Sequence, residues 1–301
     1  MERGLTLGKK ALLILNPLAG RKRGEKLITQ IIKIFHDHGY EVILKTTAFH
    51  KDAVGLCQES INEADLVVPI GGDGTLNQVI QGMLNSGVIR PIGFIPAGSS
   101  NVFSGNLGLP KQILKAAKNV AQGSPKALDI GLLNDQYFSF ITSFGAFTKT
   151  SYETPQNAKN SFGQLAYVFQ ALKDVSTIKP IHAKVVTQEC EFEDDYIFGS
   201  FTNSLTVAGL VKLDNTIVDL NDGKMEILLI KYPKNGSELN RALTALRKKQ
   251  YDQEIISFHS TAWATVYTPK DTEWSVDGEY APWASPMTIT ISQNLVEFIR
   301  K

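Results

Sequence analysis

Between Lys10 and Phe94, short apolar runs alternate with stretches in which apolar residues recur every three or four positions. ALLIL, EVILKT, DLVVPI and PIGFI read as buried strands. Glu25 to His38, Asp52 to Asn62 and Thr75 to Leu84 read as the helices between them. Strands that take turns with helices need crossover connections, which are right-handed and leave the strands parallel. The pattern therefore predicts a parallel sheet covered on both faces.

After Asp129 the texture changes. DIGLLNDQYFSFITSF, IHAKVVTQECEFEDDYIFGSFTNS and MEILLIKY are long, β-rich and joined by short turns, which predicts an antiparallel β-sandwich. Two helical patterns interrupt it, near Gly163 to Val175 and near Ser237 to Lys248. The expected fold class is thus α/β plus β: a Rossmann-like parallel α/β domain over residues 1–128, then a β-rich domain. With no low-complexity linker between them, a formed cleft is expected where they meet.

The 301 residues exceed the usual size of one domain and suffice for two cores. A hydrophobic share of 43% and a charged share of 20% describe an ordinary globular chain. No apolar run approaches the ~18 to 20 residues that cross a bilayer, and MERGLTLGKK lacks the form of a signal peptide. A cytoplasmic protein is expected, with Cys57 and Cys190 as reduced thiols. The formal net charge of +1 provides no excess of bases to neutralise phosphates along a duplex, so nucleic acid is excluded as the expected partner.

Three glycine-containing turns follow predicted strands. In Gly71, Gly72, Asp73, Gly74 and Thr75 a buried strand runs into a helix, where exposed amides and the helix dipole attract phosphate. Phosphate would repel a carboxylate placed there, so Asp73 suits a site in which Mg²⁺ or a hydroxyl stands between it and a nucleotide. A tight turn with Asp73 as a helix cap is the structural alternative. Asn16, Pro17, Leu18, Ala19 and Gly20 form the first turn, followed by Arg21, Lys22 and Arg23. That basic triplet suits nucleotide phosphates or anionic headgroups, or a solvated helix start. Ile95 to Asn101 forms the third turn. Strand ends of a parallel sheet are where ligands bind.

These motifs in order, NPLAG at Asn16 to Gly20, GGDGTLN at Gly71 to Asn77 and IPAGSSN at Ile95 to Asn101, resemble the bacterial lipid kinases of the diacylglycerol kinase catalytic-domain family, more distantly related to sphingosine kinases and NAD kinases. LDIG at Leu128 to Gly131, SYETP at Ser151 to Pro155, LNDG at Leu220 to Gly223 and VDGEY at Val276 to Tyr280 extend the resemblance over nearly the whole chain. It implies that residues 288–301 rejoin the first domain and that 129–287 form the lipid-binding one. It also implies an ATP site lined by Asn16, Pro17, Leu18, Ala19, Gly20, Thr47, Gly72, Asp73, Gly74, Thr75, Leu76, Asn77, Gln78 and Ser99. Glu279 is the implied proton acceptor, facing Asp73, and Asp129 joins Asp73 in a water and Mg²⁺ network. A structural Mg²⁺ is implied at the Asp222 carboxylate and the carbonyls of Asp219 and Lys224. Read without the family, Asp277, Gly278 and Glu279 are a plain hairpin turn, and so are Asn221 to Gly223.

The implied activity is transfer of the ATP γ-phosphate to the hydroxyl of a membrane lipid, diacylglycerol first. Its cofactors are ATP and Mg²⁺, with peripheral contact at the inner face of the membrane, and a homodimer is among the assemblies allowed. Two alternatives stay open: a kinase for a soluble acceptor such as NAD, and a nucleotide-binding regulator with little or no turnover. The second is motivated by Val102, which stands where the family pattern carries Asp. Phe144, Phe147, Tyr167, Phe169 and the tryptophans read as packing residues. His36 and His38, two positions apart on a helix, share no face and are assigned no chemistry.

Overall fold

The computed structural model describes residues 8–49, 51–99, 101–145, 148, 179–207, 211–213, 218–248, 251 and 254–301. The helix expected near Gly163 to Val175, the SYETP segment, Phe147, Tyr167 and Phe169 lie outside the described residues. The chain divides into two compact units, Met1–Leu128 with Asn294–Lys301, and Asp129–Gln293.

The first unit is built on β1 (Lys9–Leu15), β2 (Tyr40–Thr46), β3 (Leu66–Gly71) and the short β4 (Ile95–Pro96). They pair in parallel in the order β2-β1-β3-β4. Residues 11–15 of β1 are buried on both faces, as expected of a central strand between helical layers. Ala11, Leu13 and Leu15 pack with Ile31 and Phe35 of α2 (Ile28–Asp37) and with Ile113, Ala116, Ala117 and Val120 of α6 (Ile113–Gln122). Between these helices along the chain lie α3 (Asp52–Ser60), α4 (Asp73–Ser86) and the short α5 (Val102–Asn106), while α1 (Arg23–Lys26) precedes α2. Helices α3 and α4 cross closely because Gly82 has no side chain; a Cβ there would lie 2.5 Å from the Val54 carbonyl oxygen. The sequence places the start of α4 two residues late, since Asp73 and Gly74 are already helical.

The second unit is antiparallel, as the sequence predicts. Its strands are β5 (Ser124–Leu133), β6 (Gln136–Phe138), β7 (Ile141–Gly145), β8 (Ile181–Thr187), β9 (Glu191–Thr202), β12 (Met225–Lys231), β13 (Ile256–Thr261), β14 (Trp263–Tyr267), β15 (Trp274–Val276), β16 (Glu279–Ala281) and β17 (Met287–Arg300). A separate two-stranded ribbon is formed by β10 (Thr206–Val207) and β11 (Val211–Lys212), and α7 (Gly236–Lys248) links β12 to β13. The main path runs β16-β15-β7-β9-β8-β14-β17-β5-β6, and β12 branches from β9 to carry β13. One core, including Phe144, Tyr196, Phe201, Trp274, Met287 and Ile289, serves strands from both arms of the branch. Chain continuity through β5 and β17 passes between the two units, and the end of β17 bridges in parallel from Phe298 to Ile92.

Candidate active site

In the first unit all four strands point the same way, so the residues that follow them share one edge of the sheet. Asn16 follows β1, Thr47 follows β2, Gly72 follows β3 and Ala97 follows β4. The Thr47 amide donates to the Leu15 carbonyl, and the Asn16 amide to that of Ile70, which joins the first turn to its neighbours. Asn16 then organises its own turn: Oδ1 accepts from the Leu18 amide at 3.1 Å and Nδ2 donates to Thr75 Oγ1 at 3.2 Å.

Glycines let the three turns touch. A Cβ on Gly20 would sit 1.9 Å from the Ala97 carbonyl oxygen, and Gly20 also lies in the left-handed region at φ 51°. A Cβ on Gly98 would sit 2.5 Å from the Gly72 Cα. Contacts this short admit no side chain, so the first and second turns each close directly on the third. The Gly98 amide donates to the Gly71 carbonyl and to Asn101 Oδ1, and Asn101 Nδ2 returns a bond to the Gly98 carbonyl. The basic triplet divides in function. All three side chains are exposed, yet Arg23 donates to the carbonyls of Gly20 and Gly98 and staples the first turn to the third, whereas Arg21 and Lys22 stand in left-handed conformations.

Asp73 is a cap, though for a different helix from the one it begins. Both its oxygens accept main-chain donors at the start of α5: Oδ2 from Val102 at 2.9 Å and Oδ1 from Phe103 at 3.1 Å. Val102 thus serves the second turn through its amide. Leu76 is fully buried, so only its main chain could reach a ligand, while Thr75 holds Asn16 and Ser99 stands exposed on the third turn. Asn77 Oδ1 is buried without a hydrogen-bond partner, an acceptor that a hydroxyl or amine of a ligand would satisfy. Together, the glycine-closed cradle and this orphaned acceptor fit a nucleotide.

The second unit gathers Asp129, Asp219, Asp222 and Lys224, which the sequence scatters over nearly a hundred positions. Asp129 is fully buried; its amide donates to the Leu220 carbonyl and its Oδ2 accepts from the Gly223 amide at 2.7 Å. Asn203 Nδ2 donates to the carbonyls of both Asp129 and Leu220. Asp219 and Asp222 each accept the amide two residues on, closing the turn locally. Around it three oxygens are buried without a donor: Asn203 Oδ1, Asn221 Oδ1 and Glu226 Oε2. Burial, reinforced by Asp222 and Asp219, pushes the Glu226 carboxyl up to about 8. Orphaned oxygens beside acidic side chains fit a hard cation. Among the described residues no three His, Cys, Asp or Glu side chains form a metal cluster, so a cation here would draw on carbonyl oxygens. Glu226 was not picked out by motif. Its signal was an acid inside the apolar run MEILLI.

Glu279 opens β16, paired with Val276 across a two-residue loop of Asp277 and Gly278. Both loop residues have positive φ, 47° and 84°, the geometry of a type I′ turn. Cys57 is a packing residue, its thiol pushed up to about 12 by burial.

The pattern of the diacylglycerol kinase catalytic domain matches residues 10–133. The chain is 31% identical to the diacylglycerol kinase of Bacillus subtilis over 276 residues, 90% of each chain. It is 26% identical to that of Staphylococcus epidermidis, over 97% of this chain and 93% of the relative. Among solved structures, one from Bacillus anthracis superposes with a TM-score of 0.83 at 24% identity, over all of this chain and 98% of that one. A second, a diacylglycerol kinase of the same organism, gives 0.76 at 23% over 97% of each. Likeness at those identities speaks for the fold, and the Bacillus subtilis relative for the family: this chain belongs to the diacylglycerol kinases, a family of lipid phosphotransferases.

Proposed function

We infer that this chain transfers the γ-phosphoryl group of ATP to the hydroxyl of a membrane lipid, with diacylglycerol as the first acceptor to try. The observation that carries the reading is the closure of three strand-end turns on one another through Gly20, Gly72 and Gly98. It leaves bare main chain at these three positions, on the edge where a phosphate chain would lie. The names of the relatives support the lipid as acceptor.

Phosphoryl transfer needs alignment and charge neutralisation more than covalent chemistry from the protein. When bound, Mg²⁺ supplies part of that neutralisation. Asn16, Thr75 and Asn77 would orient the nucleotide, Asp73 would hold the third turn against the second, and Glu279 would take the proton of the acceptor hydroxyl. The Asp129 cluster would hold the second-unit cation through the 219–224 turn. The lipid would be met at the inner face of the membrane, by a protein in which, among the described residues, no helix is long and apolar enough to cross it.

The test offers labelled ATP and Mg²⁺ with dioleoylglycerol in phosphatidylglycerol vesicles, with a total lipid extract, and with NAD. Label in phosphatidic acid is expected. Label in NAD, or ATP binding with no labelled lipid in either preparation, would replace the reading with the soluble-acceptor or the regulator alternative.

A further inference from the structure

The loop of the β15–β16 hairpin is held in a way that its turn type does not require. A type I′ turn asks only for residues that tolerate positive φ, and an exposed Asn or Asp would serve. Asp277 instead turns its carboxylate inward, where it is only 8% exposed. Oδ2 accepts from the Ser139 amide at 2.7 Å and from Ser139 Oγ at 2.8 Å; Oδ1 accepts from the amides of Phe140 at 3.1 Å and Ile141 at 3.0 Å. Its own amide donates to the Ile141 carbonyl at 2.9 Å. Three consecutive amides aimed at one carboxylate make a main-chain anion site, filled from within the protein.

The bracket sits where pairing would otherwise fray. Strand β15 is registered on β7 from Trp274 opposite Phe144 to Val276 opposite Thr142, and Thr142 Oγ1 donates to the Ser275 carbonyl. Past Val276 one main-chain bond remains, from the Asp277 amide to the Ile141 carbonyl, and the Asp277 carboxylate adds the tie to the β6–β7 link. Glu279 is two residues further on, half-buried on the short strand that this tie holds in place.

We propose that Asp277 is a positioning residue: its carboxylate, bound by Ser139, Phe140 and Ile141, fixes the hairpin turn that presents Glu279. This rests on the reading of Glu279 as the proton acceptor. The ionisable groups on the elements packed against the carboxylate are Glu279 and Tyr280 on β16 and Tyr137 on β6. Residues 139–145, and 198–203 of β9 and its end, carry none. Its partners are thus neutral donors, and the ionised form accepts all four bonds with no proton competing for them.

Asn is as acceptable as Asp in this turn, so Asp277→Asn removes the charge and half the acceptors while preserving turn preference. The full chain is assayed with MgATP and dioleoylglycerol in phosphatidylglycerol vesicles. Asp277→Asn is expected to lower kcat on the order of 30-fold with KM for ATP unchanged, as for a reacting group displaced by a fraction of an ångström. Ser139→Ala, which removes one donor and folds more safely, should lower it roughly threefold. In a Glu279→Gln background, Asp277→Asn should cost nothing further, because a positioning residue acts through the group it positions. An unchanged kcat in Asp277→Asn, or the same loss with and without Glu279, overturns the proposal. A wild-type kcat in Glu279→Gln would instead sink the underlying reading of the base. The bracket is then judged by hydrogen exchange of the amides of Ser139, Phe140 and Ile141. Protection in the wild type that falls about 100-fold in Asp277→Asn upholds the tie, and unprotected amides in the wild type refute it.

Discussion

In the first unit Gly20, Gly72 and Gly98 close three turns by bringing main chain against main chain, whereas in the second unit Asp129 and Asp277 close turns by burying a carboxylate under amides. Both devices satisfy the backbone where strands end, yet they leave opposite surroundings. On the proposed function, the remaining amides of the glycine cradle would serve an anion brought from outside. The carboxylate turns consume their amides internally, and at the 219–224 turn they leave orphaned oxygens that call for a cation. On the proposed function, an anionic ligand and a cation would be held in different units by the same requirement, that buried polar groups find partners.

The comparison breaks most decisively at glycine. Gly20→Ala is expected to cost roughly 4 kcal/mol in urea unfolding and to abolish ATP binding, since a backbone clash adds to a left-handed φ. Gly278→Ala, where φ is also positive but no atom lies within 4 Å of the added Cβ, should cost only about 1 kcal/mol. Equal costs would mean that closure of the turns plays no part.

The carboxylate side is tested by pH. Burial raises Asp277 to about 6 against the pull of its hydrogen bonds, above the ~3.9 of an unfolded chain. The folded state therefore holds the extra proton, and its stabilising contribution is complete below pH ~4 and lost as pH rises through 6. Relative to Asp277→Asn, the wild type should lose roughly 3 kcal/mol across that window. Turnover should rise across the same window as the bracket ionises. A stability difference flat with pH would place the carboxylate in solvent.

Asp129→Ala should cost roughly 1 kcal/mol, because the half-buried Gly223 amide would lose its acceptor. Chemical denaturation measures it, and a neutral result would show that water replaces the carboxylate. The second-unit cation should have no larger an effect. Millimolar Mg²⁺ without nucleotide should stabilise by about 1 kcal/mol, seen as a rise of a few degrees in Tm. Asp222→Ala should remove that rise, and a rise that survives in the variant would move the cation elsewhere.

Much of the fold was legible because its signals are local. Apolar runs separated by helical periodicity mark β1 to β4 and their crossovers whatever surrounds them, and long β-rich segments mark the antiparallel unit. The glycines of the three turns were legible as punctuation for the same reason. Partners were less so. Asp73 was read as a ligand or as a cap on its own helix, and its carboxylate binds the start of α5, 29 and 30 positions on. Arg23 was grouped with Arg21 and Lys22 as a basic triplet, and the fold uses it to staple the first turn to the third.

What the sequence by itself determined is the order of strands and helices and the placing of small residues at strand ends, since period and turn chemistry act over a few neighbouring positions. Only the tertiary structure decided which carboxylates are tied inward: Asp129 to Gly223 across 94 positions, Asp277 to Ser139 across 138. A hydrogen bond between residues so far apart exists only once topology has brought them together, and no local pattern encodes it.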